Sequence, residues 1–372
     1  MPESLDARQA YMVLNALPGM GPVTLGRLLE HFGGDPVAVL QAPADRLARV
    51  PRVGAKVAAA LCAWPEHFNL EREEGRLASL GAAFVTRGDA DYPAALREIH
   101  DPPIGLYFMG GYRFVEKAVG IVGSRRCTLY GQSVAKRLAG ELARLGFCVV
   151  SGMARGIDTA AHQGALDAGG RTAAVLGCGL DIIYPPENYD LYRALAEKGA
   201  VLSEFPFGRR ADKQSFAIRN RVVAGLCDAL VVVESDASGG AMITARFAAD
   251  LGRPVFAVPG RIDQPSSRGC HQLIRDGATL FSGIDDLLSE LDYLGGHRPG
   301  PIAQAGGEPQ EPQGLAPEEA AIWECFRGGC ILTVDTLGGL TGLGAGELGA
   351  ALMGLELKRL VRKRVDGAFE RA

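Results

Sequence analysis

Between residues 118 and 258 the chain repeats one pattern: a short, near-continuous apolar run, a cluster of glycines and hydroxyls, then a stretch with helical apolar spacing. The apolar runs lie at 118–122, 147–150, 171–176, 200–202, 229–233 and 254–258. Helical spacing follows at 128–145, where Val134, Leu138, Leu142 and Leu145 share a face, and from about residue 158. It recurs around 216–226, 243–251 and 269–276. Strands with no polar face are buried on both sides, so the pattern predicts an α/β fold: a Rossmann-like, doubly wound parallel sheet covered by helices. Such sheets bind ligands outside the carboxyl ends of their strands, where the order of strands reverses.

The flanks differ in kind. Residues 1–80 predict short helices, and two segments match: Leu17-Pro18-Gly19-Met20-Gly21 leads into one helix and Val50-Pro51-Arg52-Val53-Gly54 into another. A Gly-bearing tight turn entering a helix twice reads as a helix-hairpin-helix. Its turn amides and helix N-terminus either face a phosphate or make an ordinary connection. Residues 293–316 are dominated by Pro and Gly, with almost nothing to bury, which predicts a flexible linker. Residues 317–372 carry three helical segments and a hairpin turning at Asp366-Gly367, a winged helix that binds either duplex DNA or protein. The expected domains are therefore 1–80, 81–292 and 317–372, with 293–316 joining the last two.

Composition removes several classes. The formal net charge of −4 excludes a uniformly basic nucleic-acid coat but not a local patch. No apolar stretch approaches the roughly 18–20 residues of a membrane span. The first ten residues carry Glu3, Asp6 and Arg8 without an apolar run, so no secretory signal is expected and the compartment is the cytoplasm. Eight Cys occur without a Cys-x-x-Cys, and several sit in apolar runs, which favours reduced, buried thiols over a disulfide or zinc framework.

Chemistry concentrates at the strand ends. The first apolar run delivers Gly123, Ser124 and Arg125: a close backbone approach, a hydroxyl donor and a guanidinium fork for phosphate. It is no dinucleotide fingerprint, because arginines stand where glycines would be required, and no G-x-x-x-x-G-K-[ST] occurs either. The next run ends in Ser151, Gly152, Arg155 and Gly156, the third in Gly177 and Gly179, and a later one in Ser238, Gly239 and Gly240 with Thr244 beyond. Hydroxyls and glycines on consecutive strands predict an anion-binding groove of amides and helix N-termini. Between them, residues 205–221 interleave Phe205, Phe207 and Phe216 with Arg209, Arg210, Lys213, Arg219 and Arg221. Cations for a backbone and aromatics for bases suit single-stranded nucleic acid. Phe205 and Phe207 alternatively pack in the core and Phe216 does either, while Asn220 and Arg221 either brace the groove or touch the strand.

Catalytic arrangements are thin. His162 and His271 have no nucleophile or metal-ligand spacing beside them. Asp158, Asp181 and Glu234 serve as acids, or they cap helices and pair with arginines. The ordered motifs Asp91-Tyr92-Pro93, Asp101-Pro102-Pro103, Gly123-Ser124-Arg125, Ser151 through Asp158, Leu176-Gly177-Cys178-Gly179, Ser203-Glu204-Phe205-Pro206, Arg219-Asn220-Arg221 and Ala257-Val258-Pro259-Gly260 closely resemble the DprA/Smf family of DNA-processing proteins. That resemblance implies a sterile-alpha-motif-like N-terminal domain and a homodimer formed through the Rossmann-like domain. It implies a non-enzymatic mediator, without cofactor or metal, that binds incoming single-stranded DNA during natural transformation. Such a mediator loads the RecA recombinase and displaces single-strand-binding protein. Gly123, Ser124 and Arg125 match the family's strand-gripping pocket directly, and Lys213 and Phe216 are placed at its second half. Ala217 stands where the family usually has Pro, and His271 where Asn is common. The alternative is a nucleotide-hydrolysing phosphoribohydrolase of the lysine-decarboxylase-like type, but residues 238–248 lack the Glu of that motif.

Overall fold

A computed structural model describes residues 5–114, 117–293, 314–326 and 330–371. The linker expected over 293–316 lies, for residues 294–313, outside the described residues. The chain forms two compact units, Met1–Val115 with Ala173–Cys227, and Glu116–Thr172 with Asp228–Ala372. The strands, in chain order, are β1 (Ala83–Thr86), β2 (Gly105–Met109), β3 (Ala118–Val122), β4 (Cys148–Ser151), β5 (Thr172–Leu176), β6 (Ala200–Ser203), β7 (Ala229–Val232), β8 (Val255–Ala257), β9 (Thr279–Leu280), β10 (Val361–Lys363) and β11 (Phe369–Arg371).

In the first unit the amino-terminal helices pack Val13, Leu14, Leu28, Val39, Leu47 and Leu61 into one apolar core. Helices α1 (Pro22–His31) and α2 (Ala55–Cys62) follow the two matching turns. Met20 N–H donates to the Leu17 carbonyl at 3.2 Å and Val53 N–H to the Val50 carbonyl at 3.1 Å, so the sequence repeat is a structural repeat. The strands of this unit run β1-β2-β6-β5. Only β5 and β6 are parallel; β2 lies antiparallel to both β1 and β6. This departs from a wholly parallel sheet. The β1–β2 connection, residues 87–104, folds back on itself, with the Tyr92 hydroxyl donating to the Pro103 carbonyl at 2.9 Å, and returns the chain antiparallel.

The second unit holds β4-β3-β7-β8-β9, parallel throughout. Val119, Ile121, Val149, Val231 and Phe256 are covered by α3 (Leu129–Arg144) and α4 (Ile157–Asp167). The helices α3 and α4 cross at glycines. A β-carbon on Gly164 would lie 2.1 Å from the Lys136 carbonyl oxygen, and Gly140 faces the same turn. Helices α5 (Lys213–Leu226, in the first unit), α6 (Gly240–Asp250) and α7 (Arg268–Arg275) complete the α/β alternation. The carboxy-terminal segment is a winged helix: α8 (Pro317–Cys325), α9 (Val334–Thr341), α10 (Ala345–Leu357) and the β10–β11 wing. It has its own core of Ile322, Phe326, Leu337, Leu348, Leu352, Leu355, Val361 and Phe369. Among the described residues no helix is long and apolar enough to cross a membrane.

Because the clash at Gly164 is with backbone, α3 and α4 must part to admit any side chain. Gly164→Ala is expected to cost about 1–3 kcal/mol, read as a lower urea midpoint at unchanged slope. An unaltered midpoint would show that the crossing has slack.

Candidate nucleic-acid interface

In the second unit three loops meet at the carboxyl ends of β3, β4 and β7. The β3 loop carries Gly123, Ser124 and Arg125, and the Arg125 side chain is exposed. Glu234, at the end of β7, holds this loop at both ends. Its carbonyl accepts from Ser124 N–H at 2.7 Å, and its buried carboxylate accepts from Thr128 N–H at 2.8 Å and the Thr128 hydroxyl at 2.5 Å. Thr128 in turn caps α3, accepting from Gly131 N–H at 3.2 Å. The β4 loop crosses beneath. Gly156, at φ +77°, passes so close that a β-carbon would lie 2.3 Å from the Ser124 carbonyl oxygen, a position open only to glycine. Asp158 closes that loop by accepting from Gly152 N–H at 3.2 Å and Ala154 N–H at 3.3 Å, leaving Arg155 exposed beside the β3 loop.

The other predicted groups here are placed less openly. Ser151 gives its hydroxyl to the Ile121 carbonyl at 2.6 Å, and Thr244 is 2% exposed. Ser238 is exposed, but its N–H and hydroxyl both donate to Asp236, at 3.1 and 3.2 Å. Asp236 is held below its ordinary carboxylate range first by the Ser238 backbone. Gly239 is the N-cap of α6, which starts at Gly240, three residues earlier than the apolar spacing indicates.

In the first unit the β5 end and α5 come together. Phe216 is half-buried, with its ring edge against Gly177, where a β-carbon would meet Cδ1 at 2.9 Å. Tyr184 tilts against it, ring centroids 5.4 Å apart. Gly179 N–H donates to the Arg209 carbonyl at 2.9 Å, tying the β5 loop to the basic segment. Lys213 opens α5 and is exposed, as are Arg209 and Arg210. The capping box of Asp212 and Ser215 starts that helix at Lys213 rather than 216, and the Asp212 carboxylate was the available sequence signal. Phe207 is core, edge-on to Tyr107 at 5.2 Å.

Two arginines taken as groove candidates are interior. Arg219 is 5% exposed and donates to the Val175 carbonyl at 3.0 Å. Arg221, 6% exposed, pairs with Glu204 and lies 3.4 Å from Asp101. The two lie about 200° apart on the helix, so Arg219 faces β5 and Arg221 faces the opposite way, toward Glu204 and Asp101. They brace the fold, whereas Asn220 between them is half-buried. Asp181 is likewise structural, accepting from Gly208 N–H at 2.8 Å and lying 3.5 Å from Arg76. His162 Nδ1 sits 2.7 Å from the Thr172 hydroxyl and His271 Nε2 2.9 Å from the Gly260 carbonyl. Among the described residues no three His, Cys, Asp or Glu side chains are grouped to hold a metal ion.

Burial pushes the Glu204 carboxyl up to about 7, with Arg221 pulling the other way. A carboxyl raised in the folded state contributes most below its unfolded value of 4.5 and loses that contribution as pH climbs toward 7. Glu204→Gln is expected to flatten the fall in stability across that interval, measured by urea titration at several pH values; an unchanged slope would contradict the assignment. Glu234→Ala should speed hydrogen exchange at residues 124–128 by ten-fold or more while β3 stays protected, and equal exchange would remove Glu234 as the brace.

Comparison with known proteins bears on the same loops. The family model of DNA recombination-mediator protein A matches residues 83–292, that of the DprA winged helix domain 306–367, and that of the SAM-like helix-hairpin-helix tandem 12–63. Protein Smf of Synechocystis is 32% identical over 98% of this chain and 99% of its own. The DNA processing protein DprA of Streptococcus pneumoniae is 42% identical over 55% of this chain and 73% of its own. The X-ray structure of the pneumococcal protein superposes with a TM-score of 0.66 at 32% identity, covering 77% of this chain and 99% of that one. A structure of DNA processing protein A from Helicobacter pylori, described for its single-stranded DNA binding mode, gives 0.52 at 33% identity over 57% and 97%. With its sheet, helical flank and winged helix all matched, the chain belongs to the DprA/Smf family of DNA recombination mediators.

Proposed function

We propose that this chain binds single-stranded DNA along its strand-end loops, performs no bond-breaking, and delivers the strand to a RecA-type recombinase. The observation that carries the reading is the braced β3 loop, which holds Arg125 exposed, with Arg155 exposed on the adjoining β4 loop that crosses beneath it. A rigid cationic loop rich in amides suits phosphate oxygens. In the first unit, taken by itself, Lys213 and Phe216, with Gly177 beneath, offer a cation and a ring for stacking. The likeness to the Helicobacter protein supports single strands as the ligand class. Transformation of incoming DNA, exchange with single-strand-binding protein, a homodimer and a cytoplasmic setting belong to the same proposal. So does the division into domains 1–80, 81–292 and 317–372.

The test is a titration of an oligothymidylate and its duplex at several salt concentrations. Single strands should bind more tightly. Arg125→Ala should weaken binding ten-fold or more and lower the log–log salt slope by about 0.7. Equal affinity in the variant would take Arg125 out of the interface. Release of free base from nucleoside monophosphates, sought in the same samples, should be absent; turnover would favour the hydrolase reading.

A further inference from the structure

The winged helix meets α3 through polar contacts. Ile331 N–H donates to Ser133 Oγ at 2.8 Å, and Ser133 Oγ donates to the Ile331 carbonyl at 3.2 Å. Arg364 donates to Gln132 Oε1 at 2.9 Å. One turn further along α3, Lys136 Nζ lies 3.0 Å from Asp167 and 3.8 Å from Glu370, and the Lys136 and Glu370 side chains are each 4% exposed. Glu370 is a shared counter-ion: its carboxylate also takes Arg362 at 2.7 Å and Arg364 at 2.9 Å. The hydrophobic clusters of the sheet and of the winged helix have no residue in common. Losing Glu370 would leave buried cations uncompensated, so the carboxylate leaves readily only where another anion takes its place.

Charge in the winged helix is distributed unusually for a duplex reader. Helix α10 carries Glu347 and Glu356 and no Lys or Arg, while Met353 and Leu357 stand exposed. A helix entering a major groove needs cations for the flanking phosphates. The exposed cations are at the wing instead: Arg359, Arg362 and Lys363. The wing docks on the helix that begins immediately after the Arg125 loop, and Gln132 is only one turn, about 5.4 Å, along α3 from its Thr128 cap. The wing thus lies near the start of the helix that the Arg125 loop enters.

We propose that the wing is a second, gated contact for the same strand, in which phosphates displace Glu370 from Lys136, Arg362 and Arg364 and so undock the winged helix from α3. Asp167 and Asp366 stay with Lys136 and Arg364, so displacing Glu370 uncovers one positive charge in excess for a phosphodiester. This rests on the single-stranded DNA reading above.

Hydrogen exchange on the full-length protein tests it, because the Ile331 amide is bonded to Ser133 only in the docked arrangement. In the free protein Ile331 should exchange slowly, and saturating oligothymidylate should speed it ten-fold or more. Glu370→Gln should expose Ile331 without DNA, raise affinity several-fold and steepen the salt slope by about 0.7. Lys136→Met, which preserves packing on α3, should expose Ile331 in the same way. Fluorescence anisotropy of the oligonucleotide, recorded on the same samples, separates two failures. Binding with Ile331 still protected overturns the gated wing alone, and no binding overturns both it and the strand-binding reading.

Discussion

The arrangement at the strand ends depends on one carboxylate. Glu234 closes β7 and gives its acceptors to the backbone and hydroxyl of the neighbouring β3 loop. That bonding fixes the entry to α3. The same economy governs Asp158 one strand away, whose oxygen takes amides of its own loop. Both carboxylates thus hold loops still, and residues 125 and 155 on those loops are exposed. Preorganisation of this kind lowers what ordering would otherwise cost on binding.

Much of this was legible in the sequence because burial on both faces leaves a strand no polar positions. The six apolar runs between 118 and 258 mark strands for that reason, and the glycine clusters mark their ends. The winged helix was equally plain, since the Asp366-Gly367 turn and flanking alternation define its wing. The antiparallel β1 and β2 were harder. The connection between Ala83–Thr86 and Gly105–Met109 is long enough for either pairing, which is decided by tertiary contacts such as Tyr92 to Pro103.

The site was legible in outline and not in detail. Loop position follows from the strand pattern, and Gly123, Arg125, Gly156 and Gly177 lie at strand ends as that pattern predicts. Side-chain direction on α5 does not. Arg219 and Arg221 carry the charge a ligand would want, yet each is turned to an interior partner, Val175 for one and Glu204 for the other. Nor does residue type show that Ser151 and Ser238 have already committed their hydroxyls. The contact between the wing and α3 was invisible for a different reason: Lys136 and Glu370 are 234 positions apart, and nothing local in either segment signals the other.

The central claim is that exposed guanidiniums at the strand ends, rather than the buried ones in α5, grip the phosphate backbone. Modification by an arginine-selective dicarbonyl, mapped by mass spectrometry with and without saturating oligothymidylate, tests this most directly. The account predicts that Arg125 and Arg155 react in the free chain and are protected by the strand, while Arg219 and Arg221 react in neither state. Undiminished modification of Arg125 in the saturated complex would contradict it.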